Sequence, residues 1–147
     1  MQKEELLNLL STEARGAFES AKRLAASKGG TLSPLHIVVG VLERLPLALD
    51  GRGLMLEAAA EALSRRFPGA AASIVISKET QTVIAEAGRL AQEEGAGYAS
   101  LAHLLRAALA SDTVRQALDG DGFALKAEAM LAQLRTRPAR ADGLRTL

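Results

Sequence analysis

The chain has no cysteine and no tryptophan, and its 147 residues include only one tyrosine and three phenylalanines. Without cysteine it can form no disulfide, no thiolate zinc site and no cysteine nucleophile. The β-branched and aromatic residues that favour strands are scarce, whereas the helix formers alanine and leucine number 29 and 25. The composition therefore predicts an all-α protein.

Other absences narrow the class of function. No stretch approaches the ~20 apolar residues that a membrane helix requires. The first ten residues include Lys3, Glu4 and Glu5 and lack the apolar run of a secretion signal. A GxxxxGK[ST] phosphate loop and a protease motif are also missing. We therefore expect a cytoplasmic, non-catalytic protein without a membrane segment, a metal or a cofactor.

The net charge of +1 is unevenly distributed along the chain. Residues 135–147 carry four arginines and one aspartate, so the rest of the chain has 14 basic and 16 acidic residues. With Pro138 and Gly143, this basic tail is typical of a disordered terminus or a linker. The slightly acidic body presents no broad basic face, which argues against a nucleic-acid partner.

An internal repeat organises the chain. Residues 11–29 and 77–95 align with seven identical pairs, each 66 residues apart: Ser11 and Ser77, Glu13 and Glu79, Ala21 and Ala87, Arg23 and Arg89, Leu24 and Leu90, Ala25 and Ala91, and Gly29 and Gly95. Ser33 and His36 recur 67 residues later as Ser100 and His103. We therefore predict two copies of one unit, at about residues 10–67 and 76–134, sharing a core in a single domain of residues 1–134.

The pattern of each copy predicts helices separated by glycines. Ser11 and Ser77 are expected to cap the first helix of each copy, and Ser33 and Ser100 the second. Pro34 follows Ser33 at the first helical position, where a missing N–H costs nothing. Further helices are expected at 112–118, around 45–49, at 54–67 and at 123–134.

The duplicated order resembles the Clp amino-terminal repeat domain, the N-domain of Clp-type AAA+ unfoldases of the ClpB, ClpC and ClpA group. The matching strings are residues 11–25, SPLHIVVGVL at 33–42 and YASLAHLL at 98–105. The resemblance covers about residues 10–134. It implies two tandem four-helix Clp repeats packed as a pseudo-twofold eight-helix bundle.

The resemblance also implies a function and its partners. Clp N-domains receive unfolded polypeptides and adaptor proteins for the ATPase ring, whose chemistry lies elsewhere in longer chains. We therefore expect a protein-interaction module for a Clp-type unfoldase or protease. The alternative is a free-standing accessory protein that docks on a Clp ATPase or Clp protease ring and stabilises or regulates it.

The chain departs from the family at the start of its second helices. Many members read GTEH there, whereas this chain has SPLH at 33–36 and SLAH at 100–103, so both glutamates are replaced. A phosphoarginine guanidinium would lack its carboxylate partner. We instead expect a mainly apolar groove that binds peptides or adaptors. Its predicted residues are Ser11, Leu32, Pro34, Leu35, Tyr98, Leu101 and Ala102.

Several single residues have competing interpretations. His36 and His103 could suggest a metal, but too few ligands lie at suitable spacing, so we expect packed histidines bonded to backbone groups. The run 119–122 lacks the later ligands of a calcium loop and is interpreted as a turn. Glu94 is interpreted as solvated charge, and Tyr98 as either core filler or groove wall.

Overall fold

The computed structural model describes residues 3–45, 49, 51–118 and 123–136. These residues contain two strands of two residues each, β1 (Thr31–Leu32) and β2 (Val75–Ile76), and eight helices. The helices are α1 (Lys3–Leu7), α2 (Thr12–Ser27), α3 (Pro34–Arg44), α4 (Arg52–Arg66), α5 (Lys78–Glu93), α6 (Leu101–Leu109), α7 (Asp112–Ala117) and α8 (Phe123–Thr136). None of the helices in the described ranges is long and apolar enough to cross a membrane.

The four predicted serine caps are confirmed. Ser11 and Ser77 precede α2 and α5, and each side chain accepts a hydrogen bond from the backbone N–H three residues later. Ser33 and Ser100 do the same for α3 and α6. Because these bonds satisfy N–H groups that no helical carbonyl can reach, they fix where all four helices begin.

The shorter elements differ in part from the prediction. Helix α1 was not predicted, since five residues are too few to show a period. The helix expected around 45–49 is not found at Leu45, which ends α3 in an extended conformation; positions 46–48 and 50 lie outside the described residues. The helices expected at 112–118, 54–67 and 123–134 are present as α7, α4 and α8.

Helix α3 is the centre of the bundle. All nine residues from Pro34 to Leu42 are buried, because α2, α4 and α6 pack around the helix. Gly40 allows the closest approach, since a Cβ atom there would lie 2.6 Å from the Ala17 carbonyl oxygen of α2. The pair α2–α3 and the pair α5–α6 meet through α3 and α6. In the described part of the chain the architecture is thus an all-α bundle of eight helices with two related halves.

Two short backbone pairings tie the halves together reciprocally. At the first, which we call the Ser11 junction (residues 9–11 and 98–102), the Ser11 N–H donates to the Ala99 carbonyl at 2.9 Å and the Ala99 N–H donates to the Leu9 carbonyl at 2.8 Å. At the second, the Ser77 junction (residues 30–35 and 75–80), β1 pairs with β2 in parallel. There the Ser77 N–H donates to the Leu32 carbonyl at 3.2 Å.

The predicted domain limits fall partly outside this description. Helix α8 ends at Thr136, two residues beyond the predicted limit of 134. Positions 137–147, most of the predicted basic tail, lie outside the described residues. The division into one domain and a tail therefore stays a prediction.

Candidate functional site

The second long helix of each copy, α3 in the first and α6 in the second, begins with the same side-chain arrangement. The Ser33 side chain accepts from the His36 N–H at 3.5 Å, and His36 Nδ1 accepts from the Ser33 N–H at 3.1 Å. Ser100 and His103 repeat this capping box at 3.3 and 3.0 Å. Because Nδ1 is an acceptor in both copies, each neutral ring carries its proton on Nε2.

In the first copy, the histidine is bonded entirely within the fold. His36 is fully buried, its Nε2 donates to the Lys28 carbonyl at 2.9 Å, and its ring centroid lies 4.9 Å from that of Phe67. Burial lowers the pKa of His36 because desolvation penalises the charged ring. The prediction of a packed histidine bonded to a backbone group is confirmed here.

The second copy uses a carboxylate instead. His103 Nε2 lies 2.6 Å from Glu94 Oε1, while Arg106 Nη1 donates to Glu94 Oε2 at 2.8 Å. The hydrogen bond from the Arg106 guanidinium lowers the pKa of the Glu94 carboxyl, and the hydrogen bond with His103 lowers it further by a smaller amount. Glu94 is exposed, as the interpretation of solvated charge predicted, with half of its side chain accessible. That interpretation was incomplete, because the carboxylate also links the end of α5 to α6.

Four of the seven predicted groove residues lie at the Ser11 junction. Ser11 is partly exposed and caps α2. Tyr98 is 60% exposed and directly precedes Ala99, whose backbone pairs with Ser11. Ala102 is partly exposed in the first turn of α6, whereas Leu101 is 1% exposed. Of the four predicted residues, Ser11, Tyr98 and Ala102 are therefore accessible at this junction and Leu101 is buried.

The other three predicted residues lie at the Ser77 junction. Leu32 and Leu35 are 0% exposed, and Pro34 is also buried. The accessible apolar side chain here is Val75 of β2, 63% exposed, which sequence reasoning missed. The only sequence signal was the apolar run of residues 74–76. Four of the seven predicted groove residues thus lie at the Ser11 junction and three at the Ser77 junction, and their part in binding stays a prediction.

Sequence reasoning also missed a polar clamp at the Ser77 junction. The buried Thr80 hydroxyl donates to the Leu32 carbonyl at 2.7 Å and lies 2.9 Å from the Ser77 hydroxyl. The equivalent residue of the first copy is Ala14, which offers no such group. The Leu32 carbonyl therefore accepts two hydrogen bonds from the second copy, and the Ser77 junction is the more firmly held of the two.

A separate cavity of about 450 Å³ lies between the end of α6, α7 and α8. It is lined by Leu109, Ala110, Val114, Arg115, Leu118, Phe123, Leu125, Ala127, Glu128 and Leu131. Among the described residues the lining is mostly apolar and includes two charged side chains, Arg115 and Glu128. None of the predicted groove residues contributes to this cavity.

Solved structures share the fold of this chain at low sequence identity. The N-terminal domain (1–163) of the ClpV1 ATPase from the Sci1 type VI secretion system of E. coli EAEC matches with a TM-score of 0.66 and 17% identity, over 95% of this chain and 91% of that one. The N-terminal domain of the chaperone ClpD from Arabidopsis thaliana matches with a TM-score of 0.65 and 18% identity, over 86% and 97%. This chain therefore has the fold of Clp N-terminal domains.

A further match concerns the same EAEC secretion system. A structure described as a peptide from its Sci1 SciI protein contains a chain that matches with a TM-score of 0.70 and 18% identity, over 97% of this chain and 95% of that one. No family model and no curated protein matches the sequence.

Proposed function

We propose that this chain is a protein-interaction module that binds unfolded polypeptide segments or adaptor proteins for a Clp-type ATP-dependent unfoldase or protease. In this proposal residues 1–134 form the binding domain, residues 135–147 connect it to whatever follows or remain a tail, and the module works in the cytoplasm without catalysis. The Clp N-domain fold, shared over almost the whole chain, supports it.

The observation that carries the proposal is the pair of exposed apolar side chains at the two junctions. Tyr98 and Val75 are 60% and 63% exposed, and each adjoins a short parallel backbone pairing between the two copies. Aromatic and aliphatic side chains on a rigid scaffold are the usual anchors for a partner's apolar residues. Leu32, Leu35 and Leu101 are buried in the core at the two junctions. They stabilise the binding surfaces and need not contact the partner.

A titration of the full chain tests the proposal. The probes are a fluorescently labelled, permanently unfolded model protein and candidate Clp ring subunits, followed by fluorescence anisotropy. We expect binding to at least one of them and a loss of about five- to thirtyfold in affinity for Tyr98→Ser, because truncating an interface aromatic costs about 1–2 kcal/mol. Silence of the wild-type chain toward both probes would refute the proposal.

Leu54→Ser is the matched control. Leu54 is 64% exposed on α4, so its replacement removes a similar exposed apolar side chain away from both junctions. The affinity of Leu54→Ser for the unfolded model protein and for the Clp ring subunits should equal that of the wild type. Binding to a Clp ring in fixed stoichiometry, with no binding of unfolded protein, would instead favour the alternative of an accessory protein that stabilises or regulates the ring.

A further inference from the structure

The two junctions have the same architecture but opposite charge. The segments that form and flank the Ser77 junction, residues 28–35 and 65–80, contain four basic residues and one acidic one, Glu79, whose carboxylate is bonded to Thr113. The basic residues are Lys28, Arg65, Arg66 and Lys78. The equivalent segments of the Ser11 junction, residues 94–102 and 1–14, contain four acidic residues and one basic one, namely Glu94, Glu4, Glu5, Glu13 and Lys3.

The charge reversal occurs at equivalent places in the fold. Lys28 and Glu94 occupy the C-cap positions of α2 and α5, and each provides the oxygen that meets its copy's histidine. Lys28 does so with its backbone carbonyl, which leaves its ammonium group uncommitted, whereas Glu94 uses its carboxylate. At the first position of α5 stands Lys78, where α2 has the neutral Thr12.

Three of the four cations near the Ser77 junction are available to a partner. Arg65 pairs with Glu61, but Lys28, Arg66 and Lys78 make no ion pair within the described part of the chain. Lys78 follows Val75 by three residues. The Val75 N–H donates to the Gly30 carbonyl at 3.0 Å, which places β2 beside the segment that begins at Lys28.

The backbone here also favours an extended ligand. In the described residues the sheet consists of β1 and β2 alone, so β2 has an edge that no further strand covers. The backbone groups of Ile76 face this edge, where the Gln81 side chain donates to the Ile76 carbonyl at 3.4 Å. An added peptide strand can bond to the edge by displacing Gln81, while its side chains meet the exposed Val75. Around that apolar contact the three cations would attract carboxylates.

We propose that the Ser77 junction binds an extended peptide segment in which apolar residues are flanked by acidic ones, and that the Ser11 junction does not. This inference rests on the proposed function and specifies the partner of one of its two surfaces. Val75 provides the apolar contact, while Lys28, Arg66 and Lys78 select for negative charge.

Two labelled peptides test this selectivity on the full chain. They share an Ile-Leu-Val centre, flanked on both sides by Asp and Glu in one and by Lys in the other. Because each exposed ion pair contributes a few-fold in affinity, three should make the acidic peptide bind about tenfold more tightly at low ionic strength. The difference should shrink as salt is raised, since the pairs are solvent-exposed.

Matched variants locate the contact. Lys78→Glu should weaken binding of the acidic peptide at least fivefold, while Thr12→Glu, which introduces a carboxylate at the same helical position of the other junction, should leave it unchanged. Val75→Ser should weaken both peptides, and Tyr98→Ser neither. Circular dichroism of each variant verifies that it folds.

Three results would overturn the inference. These are equal affinity for the two peptides, an equal loss for Lys78→Glu and Thr12→Glu, and a loss confined to Tyr98→Ser. If neither peptide binds while the unfolded model protein or the Clp ring does, this inference is wrong and the proposed function stands. If no probe binds at all, the proposed function is wrong as well.

Discussion

Replacing Gly40 by alanine tests the close approach of α2 and α3. The added Cβ would lie 2.6 Å from the Ala17 carbonyl oxygen, and ordinary contact begins only near 3.4 Å. The obstructing atom belongs to the backbone of a hydrogen-bonded helix, so no side-chain rotation relieves the clash. The two helices must instead move apart by several tenths of an ångström, in the most extensive helix contact of the described residues.

The size of the effect is the difference between two terms. Overpacking a well-packed core costs about 1–3 kcal/mol, whereas alanine is favoured over glycine inside a helix by ~1 kcal/mol. Because this clash involves backbone, we place the cost in the upper half of its range and expect a net destabilisation of about 1–2 kcal/mol. For a chain of this length that lowers the Tm by about 2–8 °C.

Urea unfolding followed by circular dichroism measures the change, with Gly53→Ala as the control. Gly53 also lies in a helix, but a Cβ added there meets nothing within 4 Å. Gly53→Ala should therefore leave the free energy of unfolding unchanged or raise it by up to about 1 kcal/mol. A Gly40→Ala variant as stable as Gly53→Ala would refute the reasoning, because it would show that α2 and α3 separate without cost.

Three other substitutions test single contacts. Burial lowers the pKa of His36 below 6.5. As the pH falls below 6.5, this histidine is therefore protonated in the unfolded chain before it is protonated in the folded protein. The free energy of unfolding then falls by at most about 1.4 kcal/mol per pH unit. His36→Gln, which retains a capping side chain, should show a smaller loss between pH 6.5 and about 5 in urea unfolding; an unchanged slope would contradict this. Glu79→Ala should cost about 1 kcal/mol, because the Glu79 carboxylate accepts from both the backbone N–H and the hydroxyl of Thr113 at the start of α7; an unaltered urea midpoint would show that this cap is not needed. Gly88→Ala should stay within about 0.5 kcal/mol of the wild type, since its Cβ would meet only the flexible Leu9 side chain at 3.3 Å; a loss as large as that of Gly40→Ala would show that Leu9 is held rigidly.

Much of the fold could be predicted because its signals are local. A serine such as Ser11 or Ser100 forms its cap within three residues, so the sequence alone places the helix start. The repeat then carries the assignment of the longer helices in one copy over to the other. The paired helices α2 and α5 accordingly have the same length of 16 residues.

The remaining features depend on contacts between distant parts of the chain. Strands β1 and β2 are two residues each and pair across more than 40 positions, which leaves no period to detect. An apolar residue at a helix start, such as Leu35, has the same signature whether it lies in the core or lines a groove. Similarly, only the folded arrangement brings Glu94 to both His103 and Arg106.

The reciprocal junctions have a consequence for how such a chain can be divided. Each junction consists of one backbone segment from each copy. The arrangement is that of a domain-swapped dimer whose two identical subunits have been fused into one polypeptide. Neither half of this molecule contains a complete junction of its own. A chain cut between Gly69 and Ser73 would consequently yield two fragments that complete each other, and a single copy would need a second one to fold.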